Sequence, residues 1–205
     1  MSIDDGAGRR VRADGERSRH AILDAAVDLA TVEGLSGLSL ARLATVTGMS
    51  KSGVFGLFGS KEDLQIAVVD RARDVFIHEV VLPALELPPG RDRLAALCVG
   101  YLDHVQRRVF AGGCFFAAVA SEVSTRPGPV RDRVVAEHTA WTRLLAESAE
   151  QAVERGEVAG DPDAQQLTYA LSTLLTGADI AYLLRDDPGV LDAARAEIET
   201  RLRPR

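Results

Sequence analysis

Ser39-Leu40-Ala41-Arg42-Leu43-Ala44-Thr45-Val46-Thr47-Gly48-Met49-Ser50-Lys51-Ser52-Gly53-Val54-Phe55-Gly56-Leu57-Phe58 is the stretch that decides the fold. Ser39 reads as a helix N-cap, because its hydroxyl can take one of the first unpaired backbone N–H groups. Leu40, Leu43, Ala44 and Val46 recur at helical spacing, and Gly48 ends this short helix in a left-handed turn. Ser50 caps again, and Lys51 to Phe58 makes a second, very short helix. Two short helices joined by Thr47-Gly48-Met49-Ser50 have the spacing of a helix-turn-helix over residues 39–58. Leu43, Val46, Met49, Val54 and Phe58 are expected to face inward and fix the angle between the helices. The outer face then carries Ser50, Lys51, Ser52, Gly53 and Leu57, free to enter a major groove about 12 Å wide.

Reading outward, the pattern before this unit is also helical. Ala21, Ile22, Ala25, Ala26, Leu29 and Ala30 repeat at three and four from Arg17 on, the mark of one buried helical face. Gly34 stops that helix. Residues 1–15 read as a disordered arm, in which Arg9, Arg10 and Arg12 could touch phosphates while Asp4, Asp5 and Asp14 offset them. After the unit, Ser60 caps a third time, with Asp63 three residues on as an imperfect capping box. Lys61 to about Val81 is one long helix ended near Pro83. Helices follow over Arg91 to Phe110, Cys114 to Val123 and Val130 to Arg155. Asp161-Pro162 and Asp187-Pro188 each set a capping carboxylate before a proline, opening helices that run to about Leu184 and Leu202. No period-2 run with hairpin turns occurs. The expectation is an all-α chain of about nine helices: an arm at 1–15, a helix-turn-helix domain at 16–63 and a larger helical domain at 64–205.

Composition narrows the function. Of 205 residues 46% are hydrophobic and 26% charged, which excludes wholesale disorder. No stretch approaches the roughly 18 apolar residues of a membrane span, so no membrane partner is expected. The first 16 residues lack an apolar signal core, which predicts a cytoplasmic protein. Cys98 and Cys114 are too few for a disulfide scaffold and read as buried small hydrophobes. A net charge of −6 excludes a nucleic-acid coat protein. The front of the chain is nonetheless near neutral, with 8 Lys and Arg against 9 Asp and Glu over residues 1–63. Only two lysines stand among 22 arginines, and both, Lys51 and Lys61, fall in that front unit. Each sits at a helix N-terminus, where a cation is disfavoured by the dipole and a bound anion resolves the conflict. Double-stranded DNA is the partner this pattern indicates.

Arg17 to about Phe76 resembles the DNA-binding domain of the tetracycline-repressor (TetR) family of bacterial regulators. The residues that carry the resemblance are Ile22-Leu23-Asp24-Ala25-Ala26, Gly34, Ser39-Leu40-Ala41-Arg42-Leu43-Ala44, Gly48-Met49-Ser50-Lys51-Ser52-Gly53-Val54-Phe55 and Phe58-Gly59-Ser60-Lys61-Glu62-Asp63-Leu64. Gly112-Gly113-Cys114-Phe115-Phe116 and Arg126-Pro127-Gly128-Pro129-Val130-Arg131-Asp132 are similar to the rear half of one large branch of that family. The resemblance implies that Ser39 and Arg42 hold one phosphate strand, that Ser50, Lys51, Ser52 and Gly53 lie in the major groove, and that Lys61 grips a phosphate. The family usually has Tyr where Phe55 stands, and bulky aromatic or His residues where Gly56 and Leu57 stand. Phe55 and Leu57 therefore join the DNA-facing set with altered chemistry, and backbone contacts are expected to carry more of the affinity.

One such unit covers little groove, so two copies at half-sites about 34–36 Å apart are required. The rear sequence should then encode a homodimer. Ala170, Leu174, Gly177, Ala178 and Ala181 form a small and apolar stripe, and Leu191 and Ile198 continue it on the last helix; the resemblance implies that these two helices pair with their mates. The resemblance also implies a pocket between the middle helices for a small-molecule effector of unknown identity. Tyr101, His104, Phe115 and Trp141 are the candidate lining, since aromatic walls with few polar groups suit small apolar ligands. No cofactor and no metal are expected. The function so read is a sequence-specific repressor released from a palindromic operator when a small apolar or aromatic ligand binds. An effector-independent regulator or an activator of the same fold is the alternative. An all-α enzyme is the remote one: no Glu-x-x-His, His-x-x-x-His, nucleophile elbow or phosphate loop occurs.

Overall fold

The computed structural model describes residues 5–160 and 162–205, with side chains from Glu16 onward except that of Arg17. Nine helices occur among the described residues: α1 (Asp5–Glu33), α2 (Leu40–Thr47), α3 (Lys51–Phe58), α4 (Lys61–Phe76), α5 (Arg91–Gln106), α6 (Phe115–Val123), α7 (Pro129–Glu154), α8 (Ala164–Arg185) and α9 (Gly189–Arg201). An isolated bridge between Val158 and Pro204 is the only extended pairing among them.

The three serines expected as caps all cap. Ser39, Ser50 and Ser60 sit in extended backbone and accept the N–H of Arg42, Gly53 and Asp63 at 3.1, 3.1 and 3.0 Å. Gly48 closes α2 at φ 68°, a conformation that costs an L side chain roughly 1–2 kcal/mol. Asp187 accepts the N–H of Gly189 at 2.9 Å. The cap expected at Asp161 lies outside the described residues; the carboxylate that opens α8 is Asp163, which accepts the N–H of Gln166 at 2.8 Å.

Several boundaries differ from expectation. Residues 1–4 of the expected arm lie outside the described residues, and α1 begins at Asp5 instead of near Arg17. The segment has no proline and its Ala and Arg are good helix formers, so a helix anchored by Ile22 and Ala26 propagates backwards. The side chains of Arg9, Arg10 and Arg12 lie outside the description. Pro83 does not end the fourth helix, which runs on through a π-helical stretch, Ile77–Val81, and a last turn, Leu82–Leu85. The wider turn takes up the register change where Pro83 has no N–H to give. α5 stops at Gln106, four residues early, because Arg108 turns to φ 51°.

Two cores form around a shared wall. The head core joins α1 to α3 with the first half of α4 through Ile22, Ala26, Leu43, Val54, Phe58, Leu64 and Val68. Phe115, Val119 and Val123 of α6 and Val134 of α7 belong to that same core. The rear core joins the end of α4 with α5, α7, α8 and α9 through Phe76, Leu97, Leu145, Leu171, Leu175 and Leu191. α4 thus runs across the expected domain boundary at residue 63 and contributes to both. α8 has the length and, at 1.3, the mean hydropathy of a membrane span, but its Leu167, Leu171, Leu175 and Tyr182 are packed inside and it carries the buried Asp179.

Candidate DNA-reading head and effector cavity

The helix-turn-helix is held from beneath. Leu43 and Val54 are fully buried, Phe58 nearly so, and Met49 partly. Arg19 of α1 lies over the Phe58 ring at 5.2 Å, a cation–π contact invisible to the periodicity. Val46 departs from expectation: it is 46% exposed, because α2 is only two turns long and Leu43 and Ala44 fill its inner face. Ser50, Lys51, Ser52, Phe55 and Gly56 are exposed on the outer face of α3, while Gly53 and Leu57 are half-buried. Phe55 is 55% exposed, the one large apolar ring on that face. Lys51 makes no hydrogen bond or ion pair among the described residues.

The two expected phosphate-holding cations, Arg42 and Lys61, are engaged within the chain. Arg42 donates to Glu33 at 2.6 Å, and this bond draws the Glu33 carboxyl below its usual range and the guanidinium above its own. Lys61 donates through Nζ to the Ser36 carbonyl at 2.6 Å. Ser39 spends one hydroxyl lone pair on its own helix.

A cavity of about 250 Å³ opens between α4, α5, α6, α7 and α8. Phe76, Tyr101, Phe116, Trp141, Ala117 and Ala120 give its apolar wall; Ser172 and Thr176 supply hydroxyls, and Arg73, Glu137 and His138 also border it. Trp141 stacks on Tyr101 with ring centroids 6.2 Å apart and meets Phe76 edge-on at 5.1 Å. Two of the four expected lining residues are therefore in place and two are not. Phe115 is fully buried in the head core, and its neighbour Phe116, one helical step round α6, takes the cavity side. His104 is fully buried between Phe76 and Phe110 at 5.6 and 4.9 Å, and neither ring nitrogen has a hydrogen-bond partner among the described residues. Burial pulls its pKa down to about 4, with the charge of Arg107 adding to the effect. Phe76 is not among the expected lining residues: it stands on the long helix from Lys61, ahead of the middle helices from which the aromatic candidates are drawn.

Beside the cavity, Asp179 is buried on α8. Its Oδ2 accepts the Cys114 N–H at 3.3 Å, and burial pushes its carboxyl up to about 7 against that bond, the Tyr101 hydroxyl and the charge of Arg108. Cys98 and Cys114 are both free and buried, with thiols pushed by burial up to about 12 and about 11.

The stripe expected on α8 and α9 divides. Leu191 and Ile198 are fully buried in the chain's own core and Ala178 nearly so, which corrects their expected partner-facing role: all three belong to the rear core of the same chain. Ala170, Leu174 and Ala181 are half-buried, and Gly177 is exposed. The outward stripe of α8 is instead Tyr169, Thr173, Gly177, Ile180 and Leu184, with Tyr169 73% and Leu184 80% exposed.

Comparison with known proteins accords with this architecture. Residues 22–68 match the family model described as bacterial regulatory proteins, tetR family, and residues 90–198 match that of the tetracyclin repressor-like C-terminal domain. The HTH-type transcriptional repressor ComR of Escherichia coli (strain K12) is 28% identical over 165 residues, covering 80% of this chain and 78% of ComR. A TetR transcriptional regulator from Chloroflexus aurantiacus superposes with a TM-score of 0.82 at 23% identity, over 92% of this chain and 95% of that one. AibR, solved in complex with isovaleryl coenzyme A and operator DNA, superposes with a TM-score of 0.74 at 21% identity, over 92% and 100%. With both halves of the chain matched by models of one family, this protein belongs to the TetR family and is a transcriptional regulator.

Proposed function

We propose that the chain is a homodimeric repressor that leaves a palindromic operator when a small apolar or aromatic molecule enters the cavity beside Trp141. The observation that carries this reading is the apolar cavity walled by Phe76, Phe116, Tyr101 and Trp141, one helix away from the DNA-reading head. Its volume of about 250 Å³ suits a single ring or a short branched chain. Phe115 and His104, being buried elsewhere, have no part in the contact. AibR, a relative in fold, is solved with an acyl thioester and DNA together, which supports a ligand-responsive role for the fold without naming this chain's ligand.

On the DNA side, Ser50, Lys51 and Ser52 are the groups that reach base edges, and Gly53 and Gly56 let the helix approach closely. Phe55 and Leu57 offer apolar surface, Phe55 the more exposed. Arg42, Ser39 and Lys61 hold the phosphate strand, Arg42 after exchanging Glu33 for phosphate and Lys61 after leaving the Ser36 carbonyl. The partner copy covers the Tyr169, Ile180 and Leu184 stripe, with Ala170, Leu174, Gly177 and Ala181 at its edge.

Selection of bound duplexes from random DNA tests the reading, followed by titration of a library of small carboxylates, phenols and branched acyl compounds. Trp141 is the only tryptophan of the chain, so its fluorescence reports the cavity directly. The expected result is a palindromic consensus released by a compound that also changes Trp141 emission. A protein that selects no sequence over random duplex contradicts the reading.

A further inference from the structure

We infer that Glu122, at the end of α6, is the positioning residue through which an occupied cavity resets the DNA-reading head; this rests on the ligand-responsive reading above.

The Glu122 carboxylate accepts two successive backbone amides, Leu35 N–H at 2.7 Å and Ser36 N–H at 2.6 Å. Those amides belong to the turn between α1 and α2, three residues before the Ser39 cap. The same turn collects three further bonds: Arg126 donates to the Ser36 hydroxyl at 2.6 Å, Lys61 to the Ser36 carbonyl at 2.6 Å and Gln65 to the Leu35 carbonyl at 2.8 Å. Leu35 and Leu38 anchor the turn in the head core. Burial pushes the Glu122 carboxyl up, yet the two amides, the Ser36 side chain and the charge of Arg126 together hold it below the usual carboxylate range. It is therefore ionised, the form that accepts both amides.

α6 is one helix thick and presents one face to the cavity and another to the head. Phe116, Ala117 and Ala120 form the cavity wall, while Phe115, Val119 and Val123 are packed into the head. A close-packed interior does not compress, so a guest larger than the cavity moves α6 as a unit. The carboxylate at its end then leaves the Leu35 and Ser36 amides, and the start of α2 loses its fixed position. Two charge-assisted bonds to adjacent amides form a geometric latch that a neutral or shorter side chain does not reproduce.

The test uses the full-length protein and a duplex selected by it from random DNA. Ala120→Phe fills the cavity wall and serves as the guest. Alone it is expected to weaken duplex binding by roughly 5-fold or more, within the ordinary range of coupling between sites. Glu122→Gln alone is expected to weaken binding as well. In the double variant the effect of Ala120→Phe is expected to vanish, because the latch it acts on is already open. Multiplicative effects of the two changes overturn the proposal, and so does an Ala120→Phe variant that binds as wild type does. Amide exchange read residue by residue supplies an arm independent of DNA and of the Gln variant's stability. Ala120→Phe should speed exchange at Leu35 and Ser36 and leave the amides of α9 unchanged; unchanged exchange at Leu35 and Ser36 overturns the latch. If the wild type selects no duplex, the regulatory reading fails, and the exchange measurement still decides the latch.

Discussion

Gly113 lies directly against the Asp179 carboxylate: at φ 82°, a Cβ built on it would collide with Asp179 Oδ1. The contact ties the α5–α6 loop to α8 at the level of the cavity. The next residue along, Cys114, gives its N–H to Oδ2, and Oδ1 has no hydrogen-bond partner among the described residues. Gly112 is wedged against the Thr31 carbonyl of α1 and donates its N–H to the Thr31 hydroxyl at 3.0 Å. Two small residues in succession thus let one loop touch the head and the rear core at once.

Asp179 makes stability depend on pH with an unusual sign. Its carboxyl is raised from 3.8 to about 7 on folding, so the folded state prefers the protonated form. The associated stabilisation is fully present below about pH 4 and is lost as pH rises through 7. Asp179→Asn keeps the shape without the ionisation. The expected outcome is a melting temperature above that of the wild type at pH 8 and close to it at pH 4; a constant offset across that range contradicts the assignment. Gly113→Ala is expected to lose at least about 1–2 kcal/mol at every pH, from the backbone conformation alone.

His104 acts in the opposite direction. Its pKa falls from 6.5 to about 4 on folding, so the neutral ring belongs to the folded state. Stability is intact above pH 6.5 and declines as pH falls toward 4, where only the unfolded chain takes the proton readily. His104→Leu removes two unpartnered buried nitrogens from between Phe76 and Phe110. Asp179 moves both proteins alike over this range, so His104 is read from their difference: the melting temperature of His104→Leu relative to that of the wild type should rise steadily as pH falls from 6.5 to 4.5. Parallel pH profiles for the two proteins would show that His104 does not titrate with folding.

The short helices of the head and their caps were legible in the sequence and the cavity lining only half so, for reasons of range. Ser39, Ser50 and Ser60 act on amides three residues away, and a local signal needs no knowledge of the fold. Phe115 and Phe116 are neighbours in an apolar helix covered on both sides, so no polar residue marks which ring faces which core. The same holds on α8, where Leu171 and Leu175 point inward and Ile180 and Leu184 outward with equal hydropathy. Glu122 is plain as a charge at a helix end, but its partners lie 86 and 87 residues away.

Glu33 restrains Arg42, and releasing it should raise affinity for duplex DNA of any sequence. The Arg42–Glu33 pair is exposed, so it contributes little to stability and Glu33→Gln should fold normally. With Arg42 relieved of Glu33, the variant is expected to bind more tightly at a nearly unchanged salt slope, because Arg42 already meets its phosphate in the wild-type complex and each such contact is worth about one counterion per protomer. Lys61→Ala should flatten the same slope by about that amount without changing which operator is preferred, whereas Lys51→Ala and Ser52→Ala should alter the preference. Anisotropy titrations at four salt concentrations on one operator and one scrambled duplex separate these effects. An unchanged slope for Lys61→Ala would show that its ammonium stays with Ser36 in the complex.

The proposed dimer surface is tested by setting two kinds of substitution against each other. Leu191 and Ile198 are fully buried within the protomer, so Leu191→Ala should cost roughly 2–5 kcal/mol of folding stability and leave the association constant of the folded protein unchanged. Ile180 and Leu184 are exposed on α8, and such an apolar stripe is unfavourable in water until a partner covers it. Ile180→Asp and Leu184→Asp place charge there, where a buried unpaired carboxylate opposes association and an exposed one does not disturb the monomer. Sedimentation velocity should find these two variants as folded monomers with unchanged helical content. DNA binding then provides the second reading: a monomer holds one half-site, so affinity for a two-half-site operator should fall to that for a single half-site. Monomers produced by Leu191→Ala with Leu184→Asp still dimeric would move the interface from α8 to α9, against the burial of every apolar side chain that α9 directs inward.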